Sequence, residues 1–305
     1  MRAIQITEFG GPEVLQPREV DEPVAPEGAV VLEVSAAGIN WADTHQAENS
    51  YLAPAQLPLV PGGEVVGTTP DGRRVVALVP GGGYAQRAVA FEAAMWEVPD
   101  GVTDAQALAL VLQGTTAWHL LKTSAQLREG ETVVVHAAAG GVGTLAVQLA
   151  KRFGAGRVVG IASSPEKRAL AERLGADATV GSADELEKAD VILEMVGGET
   201  FATSLKKLNP FGRLVHFGQA GREGAPKVDP GQLMARSQGV LGFWLVHMMQ
   251  RPDLMTEAME GMFAMVQAGE LEPIVGGEYA LADARKAHED MRARTTTGKL
   301  VLRVA

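Results

Sequence analysis

Cysteine does not occur anywhere in this 305-residue chain. Disulfides, thiol nucleophiles and cysteine-bound zinc are therefore excluded. Basic residues are in deficit, with 27 Lys and Arg against 37 Asp and Glu and a formal charge of −10. That balance argues against a general nucleic-acid or anionic-membrane binder, which needs a basic face, so any anion site must be made locally. No apolar run is long enough to span a bilayer; the longest, near Val240–Met249, is broken by His247. The first residues, Met-Arg-Ala-Ile-Gln-Ile-Thr-Glu, lack the apolar core of a signal peptide, and a cytoplasmic location is the expectation. The six histidines, His45, His119, His136, His216, His247 and His288, show no metal-ligand spacing, so no metal site is expected. Neither an internal repeat nor a low-complexity linker is present.

What remains is a chain long enough for two cores. Residues 2–7 and 28–36 alternate like strands, and Gly62–Thr68, Arg73–Val79 and Tyr84–Ala90 continue an all-β beginning. Thr103-Asp104-Ala105-Gln106 is a capping box opening a helix, and Thr115–Thr123 reads as a second helix. From Glu131 strand and helix alternate: strand 132–136, helix 142–153, strand 157–162, helix 165–173, strand 190–195, helix 199–207, strand 212–217. That alternation predicts a doubly wound parallel sheet. A helix over Asp253–Ala268, a strand near Glu278, a helix near Asp283–Met291 and a strand over Gly298–Val304 follow. The last strand needs a sheet to join and is expected to return to the N-terminal β domain.

Within this alternation, Thr132-Val-Val-Val-His-Ala-Ala-Ala-Gly-Gly-Val-Gly143 runs from a buried strand through a small-residue turn into a helix. The turn matches G-x-G-x-x-G with alanine first, at Ala138, Gly140 and Gly143. Such a turn lets the backbone approach a diphosphate, and the helix N-terminus faces the negative charge. Ala139, Gly140, Gly141, Val142 and Gly143 are the expected contacts. Roughly 20 residues on, where an NAD site carries an acid for the ribose 2′-hydroxyl, the chain reads Ala162-Ser163-Ser164-Pro165-Glu166-Lys167-Arg168. Two hydroxyls and Lys167 suit the 2′-phosphate of NADPH. Ser164-Pro165 also reads as an N-cap with proline at N1.

Several further stretches complete a pattern: Ala37-Gly-Ile-Asn-Trp-Ala-Asp43, Val60-Pro-Gly-Gly-Glu64, Gly82-Gly-Tyr-Ala85, Gly114-Thr-Thr-Ala-Trp118, Phe217-Gly-Gln219, Gly242-Phe-Trp-Leu245 and Thr297-Gly-Lys299. In this order they resemble the zinc-free quinone oxidoreductases of the medium-chain dehydrogenase/reductase superfamily. The resemblance implies an α/β chain with a GroES-like β domain, residues 1–112 and 247–305, around a doubly wound Rossmann domain, residues 113–246. It implies NADPH as hydride donor and a homodimer paired through the last Rossmann strand, Gly239–Phe243. Carried over, the cofactor contacts are Asn40, Trp118, Gly140, Gly141, Val142, Lys167, Phe217, Gln219, Phe243 and Arg294. Asn40, His45 and Tyr51 would serve the acceptor. Gly38-Ile39-Asn40 and Gly63-Glu64 replace two zinc ligands of the metal-dependent relatives. The substrate implied is a quinone or another electrophilic conjugated carbonyl, with no nucleic acid and no membrane as partner. An enoyl-thioester or alkenal reductase and an NADPH-binding protein with little catalysis stand as alternatives.

Overall fold

The computed structural model describes residues 1–304. The chain divides into two units, Gln113–Arg251 and Met1–Leu112 with Pro252–Ala305.

The first unit holds a six-stranded sheet: β1 Thr132–Val135, β2 Arg157–Ile161, β3 Ala178–Val180, β4 Ala189–Glu194, β5 Leu208–His216 and β6 Gly239–Gly242. The spatial order is 3-2-1-4-5-6 and every pairing is parallel. The connecting helices are α1 Gly141–Arg152, α2 Pro165–Arg173, α3 Gly198–Lys206 and α4 Pro230–Arg236. Strands covered on both faces read as continuous apolar runs, and Val133, Val134 and Val135 are accordingly all buried, as are Val191, Ile192 and Leu193. The strand order reverses between β1 and β4. In such sheets a ligand lies outside the carboxyl ends of the strands at that switch point.

The second unit is built on the eleven-residue strand Ala29–Ile39. Glu64–Thr68, Arg87–Phe91 and Lys299–Arg303 all pair with it antiparallel. The closing strand thus does rejoin the N-terminal sheet, and Val275–Ala280 adds to its other edge in parallel. Ile4, Ile6, Leu32, Ile39, Val65, Tyr84, Leu300 and Leu302 form the core beneath. Among the described residues no helix is long and apolar enough to cross a membrane.

Three features differ from the sequence reading. The expected second helix at Thr115–Thr123 is no separate element. Helical backbone runs on from Asp104 to Ser124, with π-type turns at Ala109–Gly114 and Leu120–Ser124 around an α turn at Thr115–His119. No proline interrupts residues 103–124, so nothing stops the run. The capping box at its start is present, with Thr103 Oγ1 accepting from the Gln106 amide at 3.2 Å and Gln106 Oε1 from the Thr103 amide at 2.9 Å. The short β3 was not expected, because three residues show no periodicity. Strand β5 begins at Leu208 rather than residue 212, running through Pro210 and through Phe211 at φ +63.

Candidate cofactor site

Strand β1 ends where Ala137 adopts φ +47, a left-handed conformation uncommon outside glycine. The chain reverses there: Ala138 N–H donates to Ile161 O at 2.9 Å and Gly140 N–H to Ala137 O at 2.7 Å. Gly140 is the N-cap of α1, and Thr144 N–H donates to its carbonyl at 2.9 Å. Gly141, Val142 and Gly143 therefore present the helix amides that have no carbonyl one turn back. A Cβ at Gly143 would stand 2.2 Å from Ala137 O, and one at Gly141 would stand 2.0 Å from Gln113 Oε1. Gly143 is required by the chain's own packing, because its neighbour is backbone, whereas at Gly141 the neighbour is the end of the Gln113 side chain. The result is a helix N-terminus whose outward amides fit an anion such as a diphosphate.

Beside this turn, β2 ends in Ala162, Ser163 and Ser164 with no carboxylate before Glu166. Ser163 is exposed. Ser164 is the N-cap of α2, its Oγ accepting from the Lys167 amide at 3.3 Å, and Pro165 follows at N1. The Arg168 guanidinium donates to Ala162 O at 3.1 Å and is committed to the strand end. Lys167, half-buried in the first turn of α2, is the cation nearest in sequence to the two serines.

The other strand ends are tied together through backbone. Phe217 N–H donates to Glu194 O at 3.1 Å and Phe243 N–H to His216 O at 2.9 Å. Phe217 and Phe243 are half-buried and Gln219 is exposed at this edge. Trp118 is not brought to the glycine turn. It is buried with its ring 5.0 Å from that of Phe153, the C-cap at the opposite end of α1. The His136 Nε2 is 2.9 Å from Ser204 Oγ, because α3 lays a hydroxyl over the end of β1.

In the unit of Met1–Leu112 and Pro252–Ala305 the structure gathers Asn40, His45 and Tyr51 near the helix Trp41–Ala47. The His45 Nδ1 is 3.0 Å from Ser50 Oγ, and the His45 and Tyr51 rings are 6.4 Å apart. Asn40 is buried, its Nδ2 donating to Glu64 Oε1 at 2.7 Å and its Oδ1 accepting from Lys299 Nζ at 3.3 Å. Lys299 and Glu64 are themselves an ion pair, both fully buried. A Cβ at Gly38 would meet Glu64 Oε1 at 2.1 Å and Lys299 Cε at 2.7 Å, so glycine there admits the pair. Asp43 Oδ2 accepts from the Asn40 amide and from Tyr84 OH, each at 2.8 Å, and Tyr84 OH is 3.1 Å from His288 Nε2. Burial pushes the Asp43 carboxyl up to about 6 despite these bonds, and burial pushes His288 down to about 4. The sequence reading assigned no role to Glu64, Lys299, Asp43 or Tyr84. Their signals were a place in the quoted stretches, which all four share, and, for Glu64 and Lys299, a charged residue heading an apolar strand, Glu64–Thr68 and Lys299–Arg303. Arg294 is exposed, with φ +56.

A parallel 3-2-1-4-5-6 sheet with a glycine turn at its switch point, in a chain that also carries a second, mainly antiparallel unit, defines a dinucleotide-binding dehydrogenase/reductase. A family model described as zinc-binding dehydrogenase matches residues 141–263. The chain is 35% identical to a quinone oxidoreductase of Pseudomonas aeruginosa, over 99% of both chains, and 32% identical to that of Mus musculus, over 99% of this chain and 97% of the other. Among solved structures it is similar to the quinone oxidoreductase from Thermus thermophilus, at 40% identity and TM-score 0.90 with both chains covered completely. That of Escherichia coli, complexed with NADPH, gives 29% identity and TM-score 0.93, again with both chains covered completely. The chain belongs to the quinone oxidoreductases of the medium-chain dehydrogenase/reductase superfamily.

Removing one member of a buried ion pair strands the other, at a cost of about 3–5 kcal/mol, whereas replacing both by apolar groups is nearly neutral. Lys299→Met should therefore lower the thermal midpoint sharply, and Lys299→Met with Glu64→Leu should recover most of the loss. A double variant as unstable as the single one would contradict the pairing.

Acid stability carries a second expectation. Burial holds His119, His136 and His288 down at about 4. Each stays neutral in the folded chain but takes up a proton in the unfolded chain from about pH 6.5 downward, so the stability it supplies is lost as pH falls toward 4. Asp43 acts oppositely: with its carboxyl raised to about 6, its contribution is largest below about pH 4 and is lost as pH rises to 6. Three imidazoles outweigh one carboxyl, so the thermal midpoint should drop between pH 6.5 and 4. Asp43→Asn should steepen that drop. A midpoint that climbs on acidification would contradict the burial of these rings.

Proposed function

We propose that this chain is an NADPH-dependent, zinc-independent reductase of quinones or related conjugated carbonyls. The observation that carries the cofactor choice is the end of β2, where Ser163, Ser164 and Lys167 stand in place of an acid, next to the outward amides of α1. Solved structures of two quinone oxidoreductases with this fold, from Escherichia coli and Thermus thermophilus, include NADPH complexes, which supports the same choice. Bound at this edge, NADPH supplies a hydride from C4 of its nicotinamide to the acceptor.

The amides of Gly141, Val142 and Gly143 hold the diphosphate, with Ala139 and Gly140 shaping the turn. Ser163, Ser164 and Lys167 take the 2′-phosphate. Phe217, Gln219 and Phe243 border the nicotinamide half, and Arg294 is a further contact on the family pattern. Asn40, His45 and Tyr51 serve the acceptor, where neutral donors meet the developing oxyanion. Zinc independence rests on Asn40 and Gly63, neither of which supplies the charged or imidazole ligand zinc prefers. It is supported by the Lys299 ammonium, which already compensates Glu64.

Among the described residues no strand pairs with the outer edge of β6, and Leu241 on it is exposed. Unpaired edges are sites of strand addition, and we assign this one to a second copy of the chain. A cytoplasmic location accompanies an enzyme drawing on intracellular NADPH.

A charge-assisted hydrogen bond contributes roughly 1.5–3 kcal/mol, so Lys167→Ala should weaken NADPH binding about ten- to a hundredfold and spare NADH in calorimetric titration. Equal losses for both nucleotides would remove Lys167 from the 2′-phosphate site. For the acceptor, turnover of 1,4-benzoquinone should exceed that of a 2-enal or an enoyl thioester. The proximity of Tyr51 to buried His45 favours a second reading, reduction of a C=C bond with Tyr51 as proton donor. Under that reading the order of substrates reverses and Tyr51→Phe abolishes alkenal turnover; under the first, where Tyr51 is one oxyanion donor among three, Tyr51→Phe lowers quinone turnover about tenfold without abolishing it.

A further inference from the structure

At the switch-point edge of the sheet, three ionisable side chains stand in one row. Glu194 on β4 is in register with His216 on β5, and Leu193 pairs with Val135, which puts His136 beside Glu194 on the other flank. Glu194 is fully buried. Its Oε2 is 2.7 Å from His216 Nδ1, and its Oε1 accepts from the amides of Val196 at 2.6 Å and Gly197 at 2.9 Å. Helix α3 covers the row, with the Phe201 ring edge-on to His216 at 5.3 Å and Ser204 on His136.

The backbone beyond β4, β5 and β6 is fastened to this pair. Val196 and Gly197 donate to the Glu194 side chain, Phe217 to the Glu194 carbonyl and Phe243 to the His216 carbonyl. Ala220 and Gly221 then donate to the Met195 and Val196 carbonyls, at 2.8 and 2.9 Å. Gly197 has φ +87, and a Cβ on it would lie 2.2 Å from Glu223 O, so the turn has no room to settle elsewhere. A buried carboxylate is costly unless its bonds are made. Burial pushes the Glu194 carboxyl up, but His216 and the two amides more than offset this and hold it below the ordinary carboxylate range. A side chain that only filled space would be apolar.

A dinucleotide lies across such a sheet with its adenosine half over β1–β3, where the ribose meets the end of β2. Its other half falls over β4–β6. We infer that Glu194 and His216 are positioning residues for the nicotinamide half of the cofactor, setting the turns after β4, β5 and β6 without touching the nucleotide. This rests on the NADPH reading above.

The test titrates the full-length protein with NADPH and, separately, with adenosine 2′,5′-bisphosphate, which occupies the adenosine half alone. Glu194→Gln and His216→Leu should each weaken NADPH at least about tenfold while leaving the bisphosphate within about twofold. In His216→Asn the amide Nδ2 can stand where the ring Nδ1 stands, and NADPH affinity should return to within about threefold of wild type. Equal weakening of both ligands would make the pair merely structural and overturn the inference, as would unchanged NADPH binding in the folded variants. Should Glu194→Gln fail to fold, the two His216 variants decide by the same comparison. Wild-type protein that binds neither nucleotide overturns the cofactor reading and this inference with it. Wild-type protein that binds both, beside variants that do so equally well, overturns the inference alone.

Discussion

The glycine turn depends on one close approach: α1 passes so near the end of β1 that no side-chain carbon fits at Gly143. Packing helix against strand there forces the connection to be short, and Ala137 accepts a left-handed conformation to make it. With the turn closed by Gly140 N–H on Ala137 O, the first helical amides have nowhere to point but outward. The neighbouring strand accommodates the same approach, since Gly160 on β2 carries no Cβ where Ala138 comes down; the two Cβ atoms would be 2.9 Å apart. Close packing thus produces an electropositive edge in a chain whose overall charge is −10.

The other unit meets a comparable constraint with charge instead of backbone. Its closing strand brings Lys299 into the interior, and the ammonium is tolerable because Glu64, Asn40 and the Ile39 carbonyl receive it. Gly38 on the central strand leaves the space. The same arrangement fixes the Asn40 amide: Oδ1 faces the ammonium and Nδ2 the carboxylate, so a flipped amide would set donor against donor and acceptor against acceptor. A residue assigned to the reaction is therefore oriented by two that take no part in it.

Much of this was legible from local pattern. The alternation of strand and helix after Glu131 gave four strands of the parallel sheet, with α2 at Pro165–Arg173 as expected, because proline at N1 and a serine cap mark a helix start without tertiary help. The glycine turn was legible for the same reason. What escaped the sequence was pairing across distance. Nothing near Glu194 in the chain announces His216 22 residues later; only the register of β4 on β5 makes them neighbours. Glu64 and Lys299 are 235 residues apart and meet through two strands on a third. Trp118 marks the converse limit, since a motif position taken from resemblance was drawn into the packing of Phe153 at the far end of α1.

Among the described residues the switch point presents a single site of this kind, although two glycine-containing turns flank it. The turn after β1 leaves the amides of α1 open to an external anion. The turn after β4 also directs amides inward, from Val196 and Gly197, but there an internal carboxylate already takes both. A second anion at β4 would have to displace Glu194 from bonds that hold it ionised in a dry interior, or lie against its charge, and either is unfavourable. The turn after β1 is thus the one open to a diphosphate, while the turn after β4 already carries its own acid. On the proposed cofactor reading, the polarity of a dinucleotide on this sheet, phosphates over one half and nicotinamide over the other, agrees with which of the two turns carries its own acid.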